Sequence, residues 1–177
     1  MENLNFKIVR LDQGHMVHSF DCDDIDLNDF LRNDSLKQQE QLFGVTYLLQ
    51  DQQRTAAFFT LINDKIKLEE GQSRNYWNTQ IGKNIPYNKR RKDYPAVKLG
   101  RLGVQKELKN MGIGTMILRY LKNWFGTNSK TGCRFLTVDA YTQSISFYQK
   151  NGFKYLTDKD QKKNTRLLYF DLGTVCR

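Results

Sequence analysis

The stretch from Leu99 to Phe125 reads LGRLGVQKELKNMGIGTMILRYLKNWF, and its organisation decides the fold. Ala96–Val104 (AVKLGRLGV) is predicted as a strand with β-branched residues at its ends. Gln105–Asn110 link it to Met111-Gly112-Ile113-Gly114, where a helix starts. Ile113, Met116, Ile117, Tyr120, Leu121 and Trp124 recur at the spacing of one buried helical face, and Gly126 reads as its stop signal. Two glycines at the mouth of a helix remove Cβ atoms where something approaches the backbone. The first four N–H groups of a helix lack internal partners and carry partial positive charge. Together these features make a pocket for a phosphate or pyrophosphate, with Lys106 and Lys109 adding charge beside it. The Walker pattern fails, because no Lys-Ser/Thr follows the second glycine. The dinucleotide pattern GxGxxG fails because Ile117 stands at its third glycine. The alternative is a tight strand-to-helix turn with no ligand.

Working outward, Phe6–Leu11 is a short strand. Asp24–Gln41 is helical, with Ile25, Leu27, Phe30, Leu31 and Leu36 as its apolar stripe and Asp23 or Asp24 as its cap. Val45–Gln50 and Ala56–Leu61 form a hairpin around a DQQR turn. Residues 64–95 are polar and basic, with Tyr76, Trp77 and Ile81 as sparse anchors, and read as a short helix followed by a mobile basic loop. Arg134–Ala140 is a further strand. Thr142–Lys150 is a short helix ended by Asn151-Gly152. Phe153–Leu156 and Arg166–Leu172 form a last hairpin around KDQKKN. The order gives an α/β domain with helices on both faces of one mixed sheet.

The chain has 177 residues, 39 % hydrophobic and 12 % aromatic, which is enough for a buried core. With 2 Pro and 12 Gly, collagen-like and low-complexity readings fail. The longest nearly apolar run, Ala56–Ile62, falls far short of the roughly 20 residues of a membrane span. The opening MENLNFKIVRLDQ has no signal-peptide pattern. Cys22, Cys133 and Cys176 are odd in number and widely spaced, as free thiols of a reduced compartment are. Two histidines, His15 and His18, and no CxxC argue against zinc. Net charge is +9, but residues 1–70 carry 13 acids against 7 bases while residues 71–177 carry 6 against 21. Such a division points to an anionic partner for the basic part, a nucleic acid or a polyphosphate cofactor. A lysine-rich solvated surface is the plainer alternative.

Two motifs about 35 residues apart narrow the reading. Lys109-Asn-Met-Gly112-Ile-Gly114 follows Leu102-Gly103-Val104, and Phe147-Tyr148-Gln-Lys-Asn-Gly152-Phe153 lies beyond a further helix and strand. In this order they resemble the acetyl-CoA-dependent N-acetyltransferases of the GNAT family. That family has Gln/Arg-x-x-Gly-x-Gly/Ala at the first place and Phe-Tyr-x-x-x-Gly-Phe at the second. The resemblance covers Pro95–Tyr155 well and the rest loosely. It implies a GNAT-like fold, a single N-acetyltransferase domain over 1–177 with a basic insert at about 64–95, and acetyl-CoA as co-substrate without a metal. It implies that Leu102, Gly103 and Val104 hold the pantetheine arm. Lys109, Asn110, Met111, Gly112, Ile113, Gly114 and Thr115 would lie at the pyrophosphate, whose contacts are backbone N–H groups. Tyr148 would protonate the departing thiolate. The asparagine common seven residues before that tyrosine is Tyr141 here, and its role is not carried over. Glu107 and Asp139 read as surface groups, so no general base is assigned.

A finer resemblance concerns the acceptor. Phe20-Asp-Cys22…Leu27-Asn-Asp-Phe30-Leu31, Thr46-Tyr47-Leu48-Leu49, Ala57-Phe58-Phe59-Thr60-Leu61 and Gly100-Arg101-Leu102-Gly103-Val104 look like the acetyltransferase toxins of bacterial toxin–antitoxin pairs. Asp23 stands where a glycine is usual. Those enzymes acetylate the α-amine of aminoacyl-tRNA. The resemblance implies a cytoplasmic protein with aminoacyl-tRNA and an antitoxin among its partners, no membrane, and a homodimer. Phosphate contacts are expected at Lys89, Arg90, Arg91 and Lys92, and at Lys98, Arg101, Lys122 and Arg134. The alternatives are acetylation of a small amine or a protein amine, and a GNAT-like module that binds RNA or a partner without catalysis.

Overall fold

The computed structural model describes residues 6–68, 73–127, 131–157 and 159–175. Cys176, one of the three predicted free thiols, lies outside them. The seven strands are β1 (Lys7–Arg10), β2 (Val45–Gln50), β3 (Thr55–Lys67), β4 (Asp93–Val104), β5 (Phe135–Tyr141), β6 (Lys154–Tyr155) and β7 (Thr165–Asp171). They form one mixed sheet in the order β1-β2-β3-β4-β5-β7-β6. The helices are α1 (Ile25–Asp29), α2 (Ser35–Glu40), α3 (Arg74–Tyr76), α4 (Ile113–Thr127) and α5 (Ile145–Lys150). The chain divides into two compact units, Met1–Asn63 with Leu99–Ile117, and Asp64–Lys98 with Leu118–Arg177.

In the first unit β1, β2 and β3 are antiparallel, with Ile8 opposite Leu49 and Leu48 opposite Phe58. Alternating apolar residues put Leu48 and Phe58 into a core with Leu11, Phe20, Cys22, Phe30 and Leu31. Phe58 meets Phe20 edge-on at 5.4 Å and stacks on Phe30 at 6.2 Å; each buried ring contributes roughly 1.5–3 kcal/mol. Thr46 and Thr60 share a buried hydrogen bond at 2.8 Å across the hairpin. Asp24 caps α1 by accepting from the Leu27 N–H, as the sequence indicates. The predicted helix over 24–41 is interrupted by a π-helical turn, Phe30–Asp34. That turn buries Phe30 and Leu31 side by side, and Ser35 Oγ donates to the Leu31 carbonyl within it.

In the second unit β4 and β5 run parallel, with Ala96, Val97 and Lys98 opposite Phe135, Leu136 and Thr137. β5 pairs antiparallel with β7 along its whole length, and β6 adds a two-residue edge. Segment 64–95 departs from the predicted loop. β3 runs on to Lys67 and β4 begins at Asp93. Trp77 and Ile81, on a π-helical turn after α3, are buried with Ile66, Ile85, Tyr94, Ala96 and Phe135. Trp77 Nε1 donates to the Arg91 carbonyl at 2.8 Å, and the Arg91 N–H donates to Tyr94 Oη at 2.8 Å. Two aromatic anchors, Trp77 and Tyr94, thus tie the basic stretch down.

Helix α4 also differs in detail. Ile113, Ile117, Leu118 and Leu121 are buried, whereas Met116 and Tyr120 are exposed. The buried stripe lies one residue round from the predicted one, and the helix runs through Gly126 to Thr127.

Candidate active site

Gly103 is set by packing beneath the strand. A Cβ there would lie 2.6 Å from the Phe58 ring and 3.2 Å from that of Phe20. Leu102 and Val104 flank it half-buried. β4 pairs with β5 over Ala96–Lys98, so Leu99–Val104 keep N–H and C=O groups on that edge for another partner.

After Val104, the Gln105 N–H donates to the Ala56 carbonyl at 2.8 Å and the Lys106 N–H to the Asp21 carbonyl at 2.8 Å. The Leu108 N–H closes a turn on Gln105, and Leu108 itself is buried. Asn110 at φ +62° and Gly112 at φ +83° then reverse the chain into α4. A Cβ on Gly112 would meet nothing within 4 Å, so its backbone faces open space. Of the amides predicted to bind pyrophosphate, that of Met111 donates to Leu108 at 3.4 Å. None of the described residues accepts from the amides of Asn110, Gly112, Ile113 or Gly114. Four bare N–H groups at the opening of a 15-residue helix are an arrangement whose donors and dipole suit an anion. The two lysines beside it are paired elsewhere, Lys106 with Asp21 and Lys109 with Asp23, each at 3.0 Å.

Tyr148 sits on α5 in the second unit, its ring edge-on to Phe147 at 5.0 Å and to Phe153 at 5.5 Å. Burial alone pushes its phenol up to about 12, so it holds its proton at neutral pH. No described side chain or backbone group bonds the hydroxyl, yet it is not among the enclosed unsatisfied atoms. It therefore touches solvent while the ring is packed.

The predicted phosphate-binding cations divide sharply. Lys98 lies between Asp139 at 2.9 Å and Asp64 at 3.8 Å, and Arg134 pairs with Asp171 at 2.9 Å. Lys122 donates to the Asn151 carbonyl and stacks on the Phe170 ring at 4.2 Å. These three serve the fold, which corrects their assignment to a polyanion. Arg101 stays exposed over the Phe30 ring at 5.1 Å. Arg90 stacks on Tyr87 and Arg91 pairs loosely with Asp93. Lys89, Lys92 and also Lys83 are exposed, and none of the described residues pairs with their side chains. Sequence reasoning missed Asp21, Asp23 and Gln105, whose partners lie more than 80 residues away.

Residues 73–155 match the acetyltransferase (GNAT) domain. Just under half of the chain is therefore similar to the GNAT acetyltransferases. Solved structures support the fold over nearly the whole length of the chain. The crystal structure of AtaTR bound with AcCoA is 25 % identical with a TM-score of 0.74, covering 96 % of this chain and 95 % of that one. A tyrosine-to-phenylalanine mutant of KacT is 24 % identical at a TM-score of 0.73, covering 96 % of each chain. AtaT complexed with acetyl-methionyl-tRNAfMet is 23 % identical at 0.74, covering 97 % of each. AtaT is also solved as a mutant toxin bound to the C-terminus of the antitoxin AtaR. No protein of curated annotation matches by sequence. The GNAT match takes in both the α4 cradle and Tyr148, the two parts that the sequence motifs single out.

Proposed function

We propose that this chain transfers the acetyl group of acetyl-CoA to the α-amine of an aminoacyl-tRNA. The observation that carries the acetyl-CoA half is the cradle of four bare amides at Asn110, Gly112, Ile113 and Gly114. Its chemistry fits a diphosphate, because it supplies donors and helix-dipole charge without needing side chains. Acetyl-CoA, when bound, supplies the thioester that a neutral amine attacks: a C–N bond forms, the C–S bond breaks, and the amine's proton passes to water.

The chain's own groups divide the remaining work. Leu102, Gly103 and Val104 hold the pantetheine amides along the open strand edge, and Lys109, Met111 and Thr115 flank the diphosphate without bonding it through their side chains. Holding two reactants in line supplies much of the rate. The Val104 N–H donates to the carbonyl oxygen as charge develops on it. Tyr148, kept protonated by burial, gives its proton to the departing sulfur and recovers one from solvent.

For the acceptor, support comes from 21 basic residues in 71–177, from the bare lysines 83, 89 and 92, and from the likeness to AtaT solved with an acetylated tRNA. Within this reading Lys89, Arg90, Arg91 and Lys92 bind tRNA phosphates. The same likeness favours an antitoxin partner. The tRNA acceptor favours the cytoplasm, and no helix among the described residues is long and apolar enough to cross a membrane. Met116 and Tyr120, exposed on α4, favour a homodimer.

The test is Tyr148→Phe. Turnover of charged tRNA falls by about a hundredfold or more, while the acetyl-CoA dissociation constant by calorimetry stays within twofold of the parent. Equal turnover removes Tyr148 from the mechanism. Thiol release as fast with small amines as with charged tRNA removes the tRNA acceptor.

A further inference from the structure

The loop that offers the bare amides is strained and poorly supported from within. Asn110 and Gly112 both adopt positive φ, which costs a non-glycine residue about 1–2 kcal/mol. Its internal bonds beyond the Leu108 turn, Lys109 N–H to Lys106 and Met111 N–H to Leu108, are long at 3.3 and 3.4 Å. Beyond the Gln105 N–H bond to the Ala56 carbonyl, its hydrogen-bond support among the described residues comes from one short segment. The Asp21 N–H donates to Gln105 Oε1 at 2.8 Å and the Asp21 carbonyl accepts from the Lys106 N–H at 2.8 Å. The Asp21 and Asp23 carboxylates hold the ammonium groups of Lys106 and Lys109.

That segment is itself pinned. Asp21 Oδ1 accepts from the Asn28 amide at 2.8 Å and from the Asp23 N–H at 3.0 Å. Asn28 Oδ1 accepts from the Cys22 N–H at 3.0 Å. Asp23 sits at φ +58°, a conformation natural to glycine and tolerated by aspartate. The carboxylate that replaces a hydrogen here is the one that reaches Lys109.

We propose that Asp21 and Asp23 are positioning residues for coenzyme binding, a clip that sets Gln105–Asn110 so that the four amides converge on one anion. The inference rests on the acetyl-CoA reading of the α4 cradle. Exposed ion pairs contribute little stability, so the clip acts through geometry. The lysines act with it, held toward the aspartates and away from direct contact with phosphate.

The experiment uses the full chain with Asp21→Asn, Asp23→Asn, Lys106→Met, and the Asp21→Asn/Lys106→Met double variant. Asp21→Asn and Lys106→Met each raise the acetyl-CoA dissociation constant and KM about tenfold, the order for misplaced support, with kcat unchanged. The double variant is no weaker than the weaker single, because both break one link. Amide exchange quickens at Lys106 and Leu108 in Asp21→Asn. Asp23→Asn, which keeps a residue suited to positive φ, weakens binding in the same sense. An unchanged or tighter constant in Asp21→Asn beside a weaker one in Lys106→Met overturns the proposal, because the lysine then contacts phosphate itself. Unchanged exchange in Asp21→Asn overturns it whatever the chain binds. A parent chain that takes up no acetyl-CoA overturns the proposed function instead, and the exchange comparison still decides whether the clip holds the loop.

Discussion

Gln105–Gly114 and Lys83–Lys92 look alike on paper, each a polar stretch with lysines and few apolar anchors. In the first, the cations are paired with aspartates, and the amides of Asn110, Gly112, Ile113 and Gly114 find no acceptor among the described residues. In the second, the backbone is tied to Trp77 and Tyr94 while the side chains of Lys83, Lys89 and Lys92 have no partner among the described residues. One region offers fixed dipoles in a set geometry, suited to a single diphosphate. The other offers mobile point charges, suited to a long polyanion whose phosphates need not be fixed. Counting lysines assigns the same role to both, whereas accounting for their partners separates them.

The largest effect expected from this contrast is at Gly112. Gly112→Val places a β-branched residue at φ +83°, a strain of about 1–3 kcal/mol. Calorimetry then shows acetyl-CoA affinity falling about tenfold to a hundredfold, with tRNA affinity unchanged. Loss of both would mean that the two regions are one site. Next, Lys83→Ala/Lys89→Ala/Lys92→Ala weakens tRNA binding and lowers its logarithmic salt slope by about one unit per lysine, with acetyl-CoA binding intact. A smaller effect belongs to Lys98→Met, which leaves Asp64 and Asp139 without their shared partner. Denaturant unfolding shows a loss of about 1–3 kcal/mol, and the tRNA salt slope does not move. The smallest concerns acid. The Asp23 N–H, the Asn28 amide and Lys106 hold the Asp21 carboxyl far below its ordinary 3.8. A carboxyl so depressed keeps its contribution above the ordinary value and loses it only as pH falls through the lowered one. Amide protection at Lys106 is therefore the same at pH 7 and pH 5.

Much of the architecture is legible in the sequence because it is local. Alternation marks Val45–Gln50 and its partner, and one cap residue marks the start of α1. The glycines before α4 announce an exposed backbone. The π-helical turns at Phe30–Asp34 and Trp77–Ile81 are not legible. A single extra residue per turn leaves the apolar pattern nearly unchanged and is settled by which ring must be buried. The roles of Lys98, Lys122 and Arg134 were invisible for another reason. Their partners lie 29 to 41 residues off, and only the fold brings them together. Gly103 answers to Phe58, a residue of another strand.

Lys122 illustrates how misleading a basic residue can be in practice. Desolvation, aided by Arg119, lowers its ammonium below the ordinary lysine value, so it yields a free amine sooner than its solvated neighbours. Amine-directed reagents applied to chart a binding face therefore find it reactive wherever they reach it. Labelling it would detach the carbonyl end of the helix that bears Tyr148 and shed the contact with Phe170. Lost activity after such treatment would then report a loosened scaffold and be mistaken for a blocked surface.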